Sequence, residues 1–349
     1  MRPLHVPIMN FLSDTTAPAH PKLLDAMIAA NDGFTPSYGA DPVSARVEAR
    51  LKEVFETDLK LVFTHSGTAA NALALSILCP SHGAIICHDE AHIHRDERGA
   101  PEFFTGGAKL LPLKGEHAKI DVARLDDTLN QWPQDFVHTP PPRVLSLSNL
   151  NESGCAYSID ELAARITPAK AKNLKIHIDG ARFANALIST GASPADLSWR
   201  AGADILCLGA TKNGALGAEA VILFPSVLDQ FEELQTRQKR GGHMAAKMRF
   251  VAAQFDAWLS DDLWLDLARH ANAMATDLGK GLTQQDGVEM AHPTDGNEVF
   301  VSLSDAHAER LQSAGVGFYR WPDGSARFVT SWCTRKEDVD AAITALQQA

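Results

Sequence analysis

The strongest constraint on this chain, which has no internal sequence repeats, is a recurring pattern of short apolar runs that end on polar or glycine-bearing turns, with helical stretches between them. Leu61-Val62-Phe63-Thr64 runs into His65-Ser66-Gly67-Thr68 and a helix-forming segment from Ala69 to Leu78. Ala84-Ile85-Ile86-Cys87 runs into His88, and Val144-Leu145-Ser146-Leu147 into Ser148-Asn149. Leu174-Lys175-Ile176-His177-Ile178 stops on Asp179, and Asp204-Ile205-Leu206-Cys207-Leu208 passes through a small-residue turn to Thr211-Lys212. Short apolar runs bounded by turns read as buried strands, and their alternation with helices reads as an α/β fold. Ala220-Val221-Ile222-Leu223-Phe224 reads as one more buried strand, set antiparallel. Open α/β sheets hold ligands outside the carboxyl ends of their strands, so the polar residues at those ends are where chemistry is expected.

Three of those ends carry it. At 64–69, strand, hydroxyl-glycine turn and helix aim backbone N–H groups and the positive end of a helix dipole at one spot, which suits a monophosphate. The Ser66 and Thr68 hydroxyls can donate there too, although the same residues also make a plain helix cap. Neither GxxxxGK[ST] nor GxGxxG occurs here, so a nucleotide is not implied. Asp179 and Lys212 each stand just past a strand. An acid that keeps a pyridine nitrogen protonated and an amine that forms a Schiff base are the minimal kit of pyridoxal phosphate chemistry. Alone, the acid reads more readily as a helix cap and the lysine as a solvated side chain; together with the phosphate turn, in this order, they point to the cofactor.

Other polar stretches stay open. His88-Asp89-Glu90-Ala91-His92-Ile93-His94 fits a metal cluster, although it lacks the glutamate straight after the first histidine that a zincin needs. It fits an exposed turn as well, and it fits His92 lying over a flat cofactor, placed to relay protons near neutral pH. Arg237, Lys239 and Arg240 form either a solvated helix end or a second phosphate contact. Ser13 reads as a turn or cap residue. Pro101 to Leu113 reads as loop then strand.

A formal charge of −11 disfavours nucleic acid or an anionic membrane as partner. Apolar residues make up 45% and charged residues 21%, a soluble globular balance, and no apolar run approaches a membrane span. Met1 to Leu12 is apolar but broken by Pro3 and Pro7, without the pattern of a signal peptide. The five cysteines are scattered and never spaced CxxC. Cys87 and Cys207 read as core thiols, and a reducing cytoplasm is expected. A long helical region from Met244, through Val251, Phe255, Leu259, Leu263 and Leu267 to Leu282, marks a boundary. Beyond it the order strand, helix, two strands, helix describes a small α+β lobe. The expected division is an N-terminal segment (1–14), a large domain (15–245) and a small C-terminal domain (246–349).

Taken in order, eight segments resemble the threonine aldolase family of pyridoxal phosphate enzymes, of the aspartate-aminotransferase-like fold (fold type I). They are Phe11-Leu12-Ser13-Asp14-Thr15, Tyr38-Gly39-Ala40-Asp41-Pro42, Ser66-Gly67-Thr68-Ala69-Ala70-Asn71, Ala91-His92, Leu145-Ser146-Leu147-Ser148-Asn149, Ile178-Asp179-Gly180-Ala181-Arg182, Thr211-Lys212-Asn213-Gly214 and Arg327-Phe328-Val329-Thr330. They span nearly the whole chain. The lysine motif, followed by Arg237-Gln238-Lys239-Arg240-Gly241-Gly242-His243, is similar to the bacterial low-specificity L-threonine and phenylserine aldolases.

The resemblance implies a mostly parallel central sheet flanked by helices with a smaller C-terminal α+β domain, and retro-aldol cleavage of β-hydroxy-α-amino acids to glycine and an aldehyde. It implies pyridoxal 5′-phosphate bound to Lys212 as a Schiff base, with Ser66, Gly67 and Thr68 around the phosphate. His92 would stack on the ring and serve as candidate general base, with Asp179 against the pyridine nitrogen. Ser13, Arg182 and Arg327 would hold the substrate carboxylate, Arg182 lying beside the cofactor as well. It implies a homotetramer with active sites between subunits, Arg240 reaching a neighbour's phosphate. Many relatives carry a second histidine where this chain has Asn151. The competing readings are β-elimination or transamination on the same cofactor, and a cofactor-free scaffold.

Overall fold

The computed structural model describes residues 9–133, 135–321 and 324–347; residues 1–8 of the expected N-terminal segment lie outside the described residues. After a two-residue strand, β1 (Met9–Asn10), come β2 (Lys60–Thr64), β3 (Ala84–His88), β4 (Lys109–Leu113), β5 (Pro142–Ser148), β6 (Lys175–Gly180), β7 (Ile205–Gly209) and β8 (Glu219–Leu223). The last seven form one sheet in the order β2-β8-β7-β6-β5-β3-β4. β8 runs antiparallel to both its neighbours, and every other pairing is parallel.

All five residues of β3, of β7 and of β8 are buried, as expected of strands covered on both faces. Alternation divides them between two cores. Ala84 and Ile86 join the larger core with Val47, Leu51 and Phe55, whereas Ile85 and Cys87 join the core around Leu73 and Leu75. The latter two belong to the helix Gly67–Leu78, which is apolar on nearly every side because it is enclosed.

One polar bridge crosses the sheet. His177 of β6, fully buried, sets Nδ1 at 2.9 Å from Ser146 Oγ on β5 and Nε2 at 3.3 Å from Cys207 Sγ on β7. Burial pushes its pKa down to about 4, so the imidazole is neutral beneath the site.

The small lobe contains β9 (Glu289–Met290), β10 (Glu298–Ser302), β11 (Val316–Gly317), β12 (Tyr319–Arg320) and β13 (Ser325–Val329). Four of them form an antiparallel sheet, β12-β13-β10-β9, while β1 pairs parallel with β11. The Phe11 N–H donates to Gly317 O at 2.9 Å, and the Val329 N–H donates to Phe11 O at 2.8 Å. The start of the chain is thus stitched into the small lobe.

Two local expectations change. The helical region after Met244 is two helices, Arg249–Leu259 and Leu263–Leu282, interrupted at Asp261 and Asp262, both at positive φ. A short polar side chain tolerates that left-handed turn, and an apolar pattern continuing across it conceals the break. The stretch before β4 contains a short helix, Ala100–Thr105, bounded by Gly99 and Gly106 at φ +77° and +76°. Six residues are too few to display a helical period.

His177 gives stability a pH dependence with a definite sign. The unfolded imidazole takes up its proton near pH 6.5, the folded one only near about 4. Stability therefore falls as pH drops through that window, by about 3 kcal/mol in total. Thermal denaturation followed from pH 7 to 4 is expected to show this slope, and His177→Leu to flatten it. An unchanged slope in the variant would place the proton uptake elsewhere.

Candidate active site

The carboxyl ends of β2, β3, β5, β6 and β7 open onto one cavity of about 240 Å³. Its lining includes Ser66, Gly67, Thr68, His92, Asp179, Arg182 and Lys212, so seven of the residues singled out in the sequence meet there. Thr15, His65, Asn71, Glu152 and Glu219 share the wall.

Each is positioned by its turn. Ser66 caps the helix Gly67–Leu78, its Oγ accepting the Ala69 N–H at 3.2 Å. That leaves the first helical amides, at Gly67 and Thr68, directed outward. Lys212 lies in the tight turn Thr211–Asn213, pinned on its far side. Asn213 Nδ2 donates to Trp264 O at 2.8 Å, and Trp258 Nε1 donates to Asn213 O at 3.0 Å.

Asp179 accepts from Asn71 Nδ2 at 2.8 Å through Oδ2 and from the Ala181 N–H at 3.0 Å through Oδ1. Burial pushes its pKa up, but His92, Asn71 and Lys212 together hold it below the usual carboxylate range. Asn71 Nδ2 also donates to Glu97 Oε1 at 2.8 Å, and the same oxygen faces His92 Nδ1 at 2.8 Å. Through that bond Glu97 raises the pKa of His92. His92, Glu97, Asn71 and Asp179 therefore form one connected chain.

Arg182 is enclosed by acids. Its Nε and Nη2 donate to the two oxygens of Asp14 at 2.7 and 3.0 Å, and Nη1 lies 3.1 Å from Glu298 Oε2. Arg327 extends this cluster, with Nη1 at 3.7 Å from Glu298 Oε1 and its guanidinium over the Trp321 and Tyr319 rings at 4.8 and 5.3 Å. Arg327, Ser13 and Arg240 are not part of the cavity wall. Ser13 Oγ accepts the Thr15 N–H as a cap, and Arg240 is the exposed last residue of the helix Phe231–Arg240. Asn151 is part of the wall, but its amide is already engaged: Oδ1 accepts the Ser153 and Cys155 N–H groups, and Nδ2 donates to His117 O on another segment.

Wall or network residues that had no role from the sequence include Asn71, Glu97, Glu152 and Glu219, with Thr15 and His65 beside them. Asn71 was legible only as the end of the Ser-Gly-Thr-Ala-Ala-Asn run. Burial pushes Glu152 and Glu219 each up to about 7.

The architecture belongs to fold type I, the aspartate-aminotransferase-like class of pyridoxal phosphate enzymes. A threonine aldolase from Leishmania major matches it with a TM-score of 0.90 at 29% identity, covering 97% of this chain and 98% of that one. In sequence, residues 10–306 match the beta-eliminating lyase family. A low specificity L-threonine aldolase of Pseudomonas aeruginosa is 42% identical over 331 residues, 95% of this chain and 94% of the relative. Its counterpart in a Pseudomonas species is 40% identical over 344 residues, 97% and 98% of the two chains. The chain belongs to the beta-eliminating lyase family and, within it, groups with the threonine aldolases.

Asn71 joins two buried carboxyl groups with one amide. Asn71→Leu leaves Asp179 Oδ2 and Glu97 Oε1 each short of a donor and is expected to cost about 1–3 kcal/mol, read by urea denaturation at pH 7. A loss within the noise of a surface substitution would show that the amide is dispensable.

Proposed function

We propose that the protein is a pyridoxal 5′-phosphate-dependent carbon-carbon lyase that cleaves L-threonine, L-allo-threonine and related β-hydroxy-α-amino acids, phenylserine included, to glycine and an aldehyde. The observation that carries this reading is the convergence of Asp179, Lys212 and the Gly67–Thr68 helix start on one cavity wall. The residues present fit the cofactor. Outward amides at a helix N-terminus suit a phosphate. A carboxylate kept ionised out of water suits a protonated ring nitrogen, and a lysine beside both supplies the amine.

Bound there, the cofactor supplies an electron sink for breaking a bond at the substrate Cα. The chain does the rest. Ser66, Gly67 and Thr68 would hold the cofactor's phosphate, Asp179 would keep a proton on its ring nitrogen, and His92 would lie against it. Arg182, with Ser13 and Arg327, would hold the substrate carboxylate and so present the Cα–Cβ bond for cleavage. The ion pairs of Arg182 with Asp14 and Glu298 support a positioning duty, since they leave its planar fork no rotational freedom. His92 takes the β-hydroxyl proton, directly or through water. The protein acts in the cytoplasm as a homotetramer in which the exposed Arg240 reaches the phosphate site of a neighbouring subunit.

The deciding assay is product analysis. Acetaldehyde and glycine from L-threonine are expected; pyruvate or a keto acid would mean β-elimination or transamination instead. Lys212→Ala is expected to abolish cleavage together with the visible absorbance of a lysine-bound cofactor, and full turnover in that variant would remove the lysine from its role. Because a base must be neutral to act and Glu97 raises the His92 pKa above 6.5, kcat/KM should climb with pH through a midpoint above that value. His92→Asn should remove this limb, and a limb that persists would assign the base elsewhere.

A further inference from the structure

Glu219 opens β8, and the antiparallel course of that strand decides where it sits. The first residue of an antiparallel strand lies at the carboxyl ends of its parallel neighbours. Glu219 pairs with Thr64 on one side and with Gly209 on the other, the last residues of β2 and β7. One neighbour leads into the phosphate turn and the other into the lysine turn. Glu219 is buried, only 6% exposed, yet it belongs to the wall of the same cavity as Lys212. Gly209 lets β7 pass close to both the Ala181 backbone and this carboxyl, since a Cβ there would stand 2.8 Å from Ala181 Cα and O and 2.9 Å from Glu219 Oε2. A buried carboxyl costs folding energy; what offsets part of that cost here is its hydrogen bonding to Thr211, the residue before Lys212, and the reaction described above gives the carboxyl no part.

The geometry points to Glu219 as the proton partner of Lys212 across the cavity they share, acting through water because the two form no direct ion pair: it takes a proton from the Lys212 ammonium and returns it when the amine is released. One N–H bond breaks as one O–H bond forms, and no other reactant is needed. This inference rests on Lys212 being the amine that anchors the cofactor. The groups facing Glu219 fit such an exchange. Thr211 and Lys212 lie on the adjoining turn, Asp179 at the tip of β6 and the Cys207 thiol on β7, and His65 of the phosphate turn shares the cavity wall. The helix Gly67–Leu78 brings no charged side chain. Burial, and then the Asp179 charge, push Glu219 up to about 7, with Thr211 and Lys212 pulling the other way. A carboxyl poised there can both accept and give a proton at neutral pH.

The test uses the full chain freed of cofactor. Lys212 is acylated with acetic anhydride at a series of pH values and its labelling rate read by mass spectrometry. In the wild type the rate profile should show an inflection near pH 7 in addition to that of the amine. Glu219→Gln should lose this inflection, and Glu219→Asp should keep one at a shifted pH. In the reconstituted holoenzyme Glu219→Gln should lower kcat roughly 100-fold with little change in KM. Identical labelling profiles in wild type and Glu219→Gln would overturn the partnership even if L-threonine is cleaved. Failure of the wild type to cleave L-threonine or to bind the cofactor would instead overturn the reading beneath it. If Glu219→Gln does not fold, a Glu219→Asp profile superimposable on the wild type overturns the partnership by itself.

Discussion

Asp179 is withdrawn from water and nevertheless stays ionised, which burial by itself forbids. The surroundings are arranged to reverse that penalty. An amide from Asn71, a backbone N–H from Ala181 and the charges of His92 and Lys212 all act on one carboxylate. The neutral His177, two residues earlier on β6, forms the floor through its bridge between Ser146 and Cys207. The same Asn71 amide that serves Asp179 also holds Glu97, and Glu97 in turn holds His92. Moving any member disturbs the others, and for that reason five strand ends must arrive in one register.

A second charged cluster ties that register to the small lobe. Asp14 lies in the segment after β1, Arg182 just beyond β6, and Glu298 and Arg327 on β10 and β13. Buried ion pairs are poor sources of net stability, but removing one partner strands the other, at a cost of about 3–5 kcal/mol. The cluster acts as a lock between three parts of the chain. Segments stitched together by β1 and β11 reach the cavity through it, so the small lobe bears on a site to which it adds little wall of its own.

Much of this was visible in the chain before any contact was known. Apolar runs that stop at Thr64, His88, Ser148, Asp179 and Gly209 mark strand ends, and the Ser-Gly-Thr turn marks a helix start. The misreadings have local causes. The helix Ala100–Thr105 is too short to show a period, and the break at Asp261–Asp262 is masked by apolar residues on either side. Asn71, Glu97, Glu152 and Glu219 resisted detection because a polar residue inside or beside an apolar run looks the same whether it faces a cavity or caps a turn.

What the sequence determined by itself was the set of elements and the chemistry at their tips, because caps, turns and hydrophobic periods act over a few residues. What only tertiary structure decided was which distant side chains meet. Arg182 and Asp14 are 168 positions apart, and Asn71 and Asp179 are 108 apart. Those meetings depend on strand order and register, which arise from packing the two faces of one sheet at once. No stretch of chain contains that information locally, so the charge state of the buried acids belongs to the fold and not to any motif.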